Sequence, residues 1–240
     1  MIINKLAKNS VKSNKKQYGI LFFTIVLSAF MLFCVFTIGW TYLDSSRLQN
    51  TRLNGAEYDI TTMNGFTSKQ VKSLQSNKNI QNVGMESYAG FIKSSEFDNT
   101  VEIGLLWCDE TFWNNLMSPA RTKLDGHYPQ NKNELMVTKD ILKACGNENL
   151  SVGDSIVLTY ENNTGVHTDK FVISGIWDGY GDKSAGFVSK NFYDETGYDL
   201  KNDGILCIKL NRNYVLPTTI QSLEKSLNFS DRQIFAPTDY

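Results

Sequence analysis

No charged residue stands between Lys16 and Asp44, and the 25 residues from Gly19 to Leu43 (GILFFTIVLSAFMLFCVFTIGWTYL) are apolar almost throughout. A helix rises about 1.5 Å per residue, so roughly 20 residues cross the ~30 Å hydrocarbon layer of a bilayer. The run is therefore long enough to span, with a turn left over for tilt. Tyr18 at one edge, and Trp40 and Tyr42 at the other, fall where aromatic rings with a polar atom favour the headgroup zone. Lys5, Lys8, Lys12, Lys15 and Lys16 precede the run with no acid among residues 1–18, whereas the chain from Asp44 onward carries 19 basic residues against 25 acidic ones. Lysines resist translocation. The asymmetry predicts a cytoplasmic N-terminus and places residues 44–240 outside, and it leaves no call for nucleic acid as a partner of the basic head.

A cleaved signal peptide shares the basic head, but its apolar core is usually about 7–15 residues and ends at a small-x-small site. The nearest approach to such a site, Thr37-Ile38-Gly39, lies inside the apolar run, and a lipid-modification site at Cys34 is spoiled by the bulky Phe33 before it. A retained transmembrane helix over 19–43 is the expectation. Within it Thr24 and Ser28 stand one turn apart, a small-residue pair that admits a close helix neighbour or simply faces lipid. Residues 1–18 form a basic segment in which Ile2, Ile3, Leu6, Ala7 and Val11 recur near helical spacing, the pattern of a short amphipathic helix on the inner leaflet.

With 41% hydrophobic and 20% charged residues, the chain has the composition of a folded protein. Cys108, Cys145 and Cys207 of the body are sparse and contain no C-x-x-C, so they read as small buried side chains, with one bridging pair left open. Glu57–Met63 reads as a strand, Phe66-Thr67-Ser68 opens a helix with Val71 and Leu74 on its buried face, and Gln81–Lys93 returns to strand. The same unit recurs as strand Gly204–Leu210, helix Pro217–Leu227 and extended Arg232–Ala236. Between them, Glu134–Thr138 is a strand running into a short helix that ends before Gly146. Asp154–Tyr160 and Lys170–Trp177 form a hairpin about the polar stretch 161–165, and Gly186–Ser189 is extended before another short helix. The expected fold class is α+β: two strand-helix-strand units forming an outer lobe (about 55–110 and 186–240) with a β-rich lobe inserted at about 111–185.

The order of turns in this body is similar to that of the extracytoplasmic domain of the FtsX/MacB-like ABC transporter permeases. The residues that carry the likeness are a Gly-x-x-Pro turn at Gly126–Pro129, an Asn-Glu strand opener at Asn133-Glu134, a Val-Gly-Asp turn at Val152-Gly153-Asp154, and the strand Val172-Ile173-Ser174-Gly175-Ile176. His127 stands where an arginine is more usual. The resemblance extends from the first helix through most of the body. It implies a non-catalytic permease subunit in a bacterial plasma membrane, served by a separate cytoplasmic ABC ATPase and completed by a second permease copy or by further transmembrane helices. The ligand would be a peptide, a lipid or a cell-envelope protein, in export, antimicrobial peptide resistance or envelope signalling. Family members have at least three more spanning helices, and none follows Leu43 within these 240 residues, so a fragment or truncated relative is expected. The alternative is a single-pass anchored binding domain acting without an ATPase.

Enzymatic readings find little. There is no G-x-x-x-x-G-K-[ST] or G-x-G-x-x-G phosphate loop. His127 and His167 lie in turns without an H-E-x-x-H helix, Gly181–Gly186 around Ser184 is one residue too long for a G-x-S-x-G elbow, and Ser222-x-x-Lys225 lacks its companion motifs. Asp178 and Asp182 have too few oxygen neighbours for a calcium loop. No catalytic residue, metal site or cofactor is therefore expected.

Overall fold

The computed structural model describes residues 14–93, 103–180, 185–211 and 217–238; most of the basic amphipathic segment and the stretch 181–184, with Asp182 and Ser184, lie outside them. The chain divides into two compact units, residues 1–48 and residues 49–240.

Helix α1 runs from Lys15 to Asn54, 40 residues, or about 60 Å at the rise of an α-helix. It is the one helix among the described residues long and apolar enough to cross a membrane. Phe22, Phe23, Met31 and Leu32 stand exposed on different sides of it, so this stretch has no polar face, and a helix apolar all round needs lipid or protein about it. Thr24 Oγ1 donates to Ile20 O at 2.9 Å, so this hydroxyl is spent on its own helix.

In the second unit the two expected strand-helix-strand repeats interleave. The first is β1 (Ile60–Met63), α2 (Ser68–Gln75) and β2 (Ile80–Lys93). Near the C-terminal end come β9 (Ile205–Leu210), α6 (Pro217–Leu227) and β10 (Ile234–Pro237). Their strands lie in the order β10-β1-β9-β2, each antiparallel to its neighbour. That is the split β-α-β arrangement of a ferredoxin-like lobe. Val71 and Leu74 of α2 and Leu223 and Leu227 of α6 close over Ile60 and Ile208 in one core. Helix α2 begins where it does because Thr67 accepts from Gln70 N while Gln70 Oε1 accepts from Thr67 N at 2.8 Å, a capping box.

Everything between β2 and β9 is an insertion into that lobe. It contributes β3 (Ile103–Cys108), β4 (Arg121–Gly126), β5 (Glu134–Thr138), α3 (Lys139–Ala144), β6 (Ser155–Asn162), β7 (Gly165–Gly179), β8 (Gly186–Val188), α4 (Lys190–Tyr193) and α5 (Leu200–Asp203). Pairing runs β2-β3-β8-β5-β7-β6 and returns from β6 to β2. The circuit is a closed six-stranded barrel, which removes the exposed edges that a sheet of six strands would otherwise present. Leu105, Leu135, Ile156, Phe171 and Ile173 fill it, with Ile141 of α3 and Phe192 of α4 in the same core. β2 belongs to both bodies, which is why it reaches 14 residues. The expected lobe limits at 111 and 185 therefore cut across the barrel: β2, β3 and β8 lie on the outer-lobe side of those limits yet close the ring.

Candidate functional site

The end of α1 is built into the folded body. Thr51 is buried. The Arg52 guanidinium lies 3.9 Å from the centre of the Tyr180 ring and donates to its hydroxyl at 3.1 Å. The helix stops at Asn54, followed by Gly55 at φ +78°, the left-handed residue that commonly terminates helices. The next residues are fixed in turn. Ala56 is buried, Glu57 N donates to Leu116 O at 2.7 Å and its carboxylate pairs with Lys209, and the buried Asp59 accepts from Leu210 N at 2.6 Å.

Leu116 closes a five-residue π-helical turn, Phe112–Leu116, a rare geometry frequent at functional sites. Asp109 organises its start: Oδ1 accepts from Phe112 N at 2.8 Å and from Met85 N at 2.9 Å. Burial raises the Asp109 carboxyl pKa, and these two bonds only partly offset it. Phe112, Trp113 and Leu116 are buried under this turn, and the Arg121 guanidinium stacks 4.0 Å from the Trp113 ring centre, where burial lowers its pKa. A cleft opens on either side. One, of about 250 Å³, has Tyr58, Glu86, Tyr88, Leu106 and Phe187 in its wall; the other, of about 380 Å³, is lined by Asp109, Trp113, Leu124, His127 and Tyr128.

The residues carrying the family likeness each do a structural job, and Gly126, His127 and Tyr128 do theirs in the wall of the second cleft. Gly126 has φ +85°, and a Cβ there would meet Ser174 O at 2.3 Å, so only glycine closes β4 onto β7. Tyr128, inside the Gly-x-x-Pro turn, places its hydroxyl 3.0 Å from Cys108 N and 3.2 Å from Val188 O, where β8 ends and the ladder with β3 would lose its next rung. Glu134 accepts from Gln130 N, Asn131 N and Asn131 Nδ2. Its slight burial acts to raise the pKa, but these bonds hold it below the usual carboxylate value. In the Val-Gly-Asp turn, Gly153 has φ +94° and donates to Ile173 O, while Asp154 Oδ2 accepts from Ser151 N at 2.8 Å.

The candidate catalytic residues do not converge. His127 is exposed, with Nδ1 3.0 Å from its neighbour Tyr128's carbonyl; His167, on the β6–β7 hairpin, stacks on Tyr160 and contacts Thr164 Oγ1 at 2.8 Å. Ser222 and Lys225 face outward on α6, and Asp178 Oδ1 accepts from Gly179 N. Among the described residues no three His, Cys, Asp or Glu side chains are grouped to hold a metal ion. Cys108 on β3 and Cys207 on β9 are separated by β2. Two strand spacings are about 9–10 Å, beyond the reach of a disulfide, so these two thiols are not the bridging pair that composition left open. Burial pushes both thiols well above their ordinary pKa. Neither the Arg52–Tyr180 stack nor the Tyr128 hub was legible from sequence, since each depends on partners tens of residues away. Asp109 had a local signal: an acid three residues ahead of Phe112, at capping distance.

No protein-family model and no curated protein sequence matches the chain. Solved structures do. The extracellular domain of the ABC-type transporter YknZ from Gram-positive bacteria is 10% identical, covering 75% of this chain and 98% of that one, with a TM-score of 0.48. The periplasmic region of MacB from Actinobacillus actinomycetemcomitans is 12% identical over 77% of this chain and 91% of its own, at 0.49. A permease-protein domain from Porphyromonas gingivalis is 11% identical over 76% and 90%, at 0.47.

Proposed function

We propose that the chain is the N-terminal part of a permease subunit of an FtsX/MacB-like ABC transporter, lodged in a bacterial plasma membrane. Residues 44–240 meet a peptide, lipid or envelope-protein ligand outside, and a separate cytoplasmic ATPase drives the cycle. The carrying observation is mechanical. One helix runs unbroken from the apolar segment to Asn54, and its last turn is locked by Arg52, Thr51 and the bonds of residues 56–59 into the sheet and the π-helical turn. On this reading, motion of that helix enters the folded body through residues 51–59. The order of turns from Gly126 to Ile176 adds the family likeness, and Gly126, Glu134, Gly153 and Asp154 each hold a turn or strand end that their residue type explains. The remaining partners are a second permease copy or further transmembrane helices. Detergent extraction of the gene product containing this chain from its native membrane tests the reading: an ATP-hydrolysing subunit is expected to co-purify. Recovery of the intact product with no such subunit, under conditions that keep other transporters assembled, would overturn it.

A further inference from the structure

A polar cleft of about 380 Å³ opens between α2, α5 and the chain leading into β10, apart from the clefts at the π-helical turn. That volume lies within the range of small-molecule sites. Lys69, Lys201 and Arg232 line it, and no Asp or Glu does, although the body from Asp44 onward carries a surplus of acid. The remaining lining is almost all hydroxyl and amide, including Ser73, Asn228 and Gln233.

The wall is held rigidly by groups that are not needed for a ligand. Gln70, almost fully buried, donates from Nε2 to Leu227 O at 3.1 Å and accepts from Thr67 on Oε1; Gln233 Nε2 donates to Gly65 O at 2.6 Å. Gly65 has φ +91°, and a Cβ there would sit 2.0 Å from Lys201 O, so the backbone bearing Lys201 is pressed against it. Arg232 donates to Asn202 Oδ1 at 2.6 Å and to Lys201 O at 3.3 Å through one nitrogen, leaving the rest of its fork unspent. Of the neighbouring acids, Asp231 stands between Ser230 and Arg232 without lining the cleft, and Asp199 and Asp203 are occupied as caps of α5: Asp199 Oδ1 accepts from Lys201 N and Asp203 Oδ2 from Asp199 N. Among the described residues Lys69, Lys201, Ser73 and Asn228 make no side-chain hydrogen bond or ion pair. The C-terminal carbonyls of α6 contribute about half a negative charge at this end. Gln70 covers one of them, and three cations outweigh the remainder.

We propose that this cleft binds an anionic polyol. One phosphate or carboxylate group is taken by Lys69, Lys201 and Arg232, and adjacent hydroxyls by Ser73 and Asn228. The inference rests on the cleft alone and stands whether or not the transporter reading does. Two sources carry that chemistry, a soluble or polymeric glycerol phosphate and an anionic lipid headgroup.

The test uses the full chain in phosphatidylcholine nanodiscs, titrated with sn-glycerol 1-phosphate and followed by amide chemical shifts. Saturable binding on the order of millimolar, with shifts confined to residues 67–73, 201–202 and 226–233, is expected, weakening as salt is raised. Lys69→Gln and Lys201→Gln are each expected to weaken it about 2- to 5-fold, the range of exposed ion pairs, and Lys69→Glu with Lys201→Glu to abolish it. Both lysines are exposed, so the variants retain the fold, which their unliganded spectra check. Lys139→Gln, on α3, leaves binding unchanged. Repeating the titration in nanodiscs containing phosphatidylglycerol separates the sources: competition assigns the site to a lipid headgroup, and an unchanged affinity assigns it to the soluble ligand. Absence of saturable binding, equal binding of uncharged glycerol, or full affinity in the double charge reversal would each overturn the proposal.

Discussion

Replacing Tyr128 by Phe isolates one hydroxyl at the point where two strands stop pairing. The ring stays, and with it the packing on Trp113 at 5.1 Å and Phe187 at 5.9 Å between centroids. What goes is the acceptor for Cys108 N at 3.0 Å and a donor to Cys108 O or Val188 O, each at 3.2 Å. Cys108 is only 2% exposed, so water cannot replace the lost partner. A buried donor left unsatisfied costs about 1–3 kcal/mol, and the lost donor bond about 1 more, so the substitution is expected to destabilise the body by about 2–4 kcal/mol. For a unit of this size that is a fall of about 4–16 °C in Tm. The assay is urea unfolding of the full chain in mild detergent, followed by tryptophan fluorescence, because urea unfolds the water-exposed body while the micelle holds α1. Tyr198→Phe, which removes a hydroxyl with no hydrogen bond among the described residues, serves as the internal control and should change stability by less than about 0.5 kcal/mol. If Tyr128→Phe behaves like that control, the hydroxyl does not bridge β3 and β8 and the reasoning fails.

Three further outcomes follow from other parts of the structure. Thr67→Ala removes half of the capping box at α2 and is expected to cost about 1 kcal/mol in the same assay, with Thr67→Ser restoring most of it. Glu134 has a depressed folded pKa, so its contribution is complete above the unfolded value of about 4.3 and is lost as pH falls through the folded one; Glu134→Gln should flatten that part of the pH–stability curve, and an unchanged slope between about pH 3 and 5 would count against the hydrogen bonds at Gln130 and Asn131. Cys108 and Cys207 are buried thiols, so iodoacetamide should modify them only after unfolding, and non-reducing mass analysis should find no bond between them.

Legibility in the sequence tracked how local the cause was. Helix α6 spans Pro217–Leu227 as expected, since proline at its start and Leu223 and Leu227 on one face are features of a single segment. The β6–β7 hairpin was expected for the same reason, though its loop is tighter, Asn163-Thr164, because Asn162 Oδ1 accepts from Thr164 N and closes the turn early. β4 left no trace in the pattern: from Arg121 to Gly126 no side chain is buried, and the strand exists only because β7 offers it a register from Gly179 to Gly175. The barrel was equally hidden. Its closure depends on β6 reaching Phe91–Lys93 of β2, a contact between residues some 70 positions apart. The π-helical turn follows from Asp109 bonding two separate backbone amides, and no periodicity announces that. At the candidate site, the glycines and Glu134 were recognisable by order alone, while Arg52, Tyr180 and Tyr128 acquire meaning only from their partners.

The proposed function requires α1 to cross a bilayer with the folded body outside it. In a Cys145→Ser background, single cysteines introduced as Thr164→Cys on the exposed hairpin turn and Lys15→Cys at the start of α1 can be treated with a membrane-impermeant maleimide on intact cells. Thr164→Cys should label at once, and Lys15→Cys only after the cells are permeabilised. Labelling of Lys15→Cys in intact cells, with Thr164→Cys protected until permeabilisation, would contradict it.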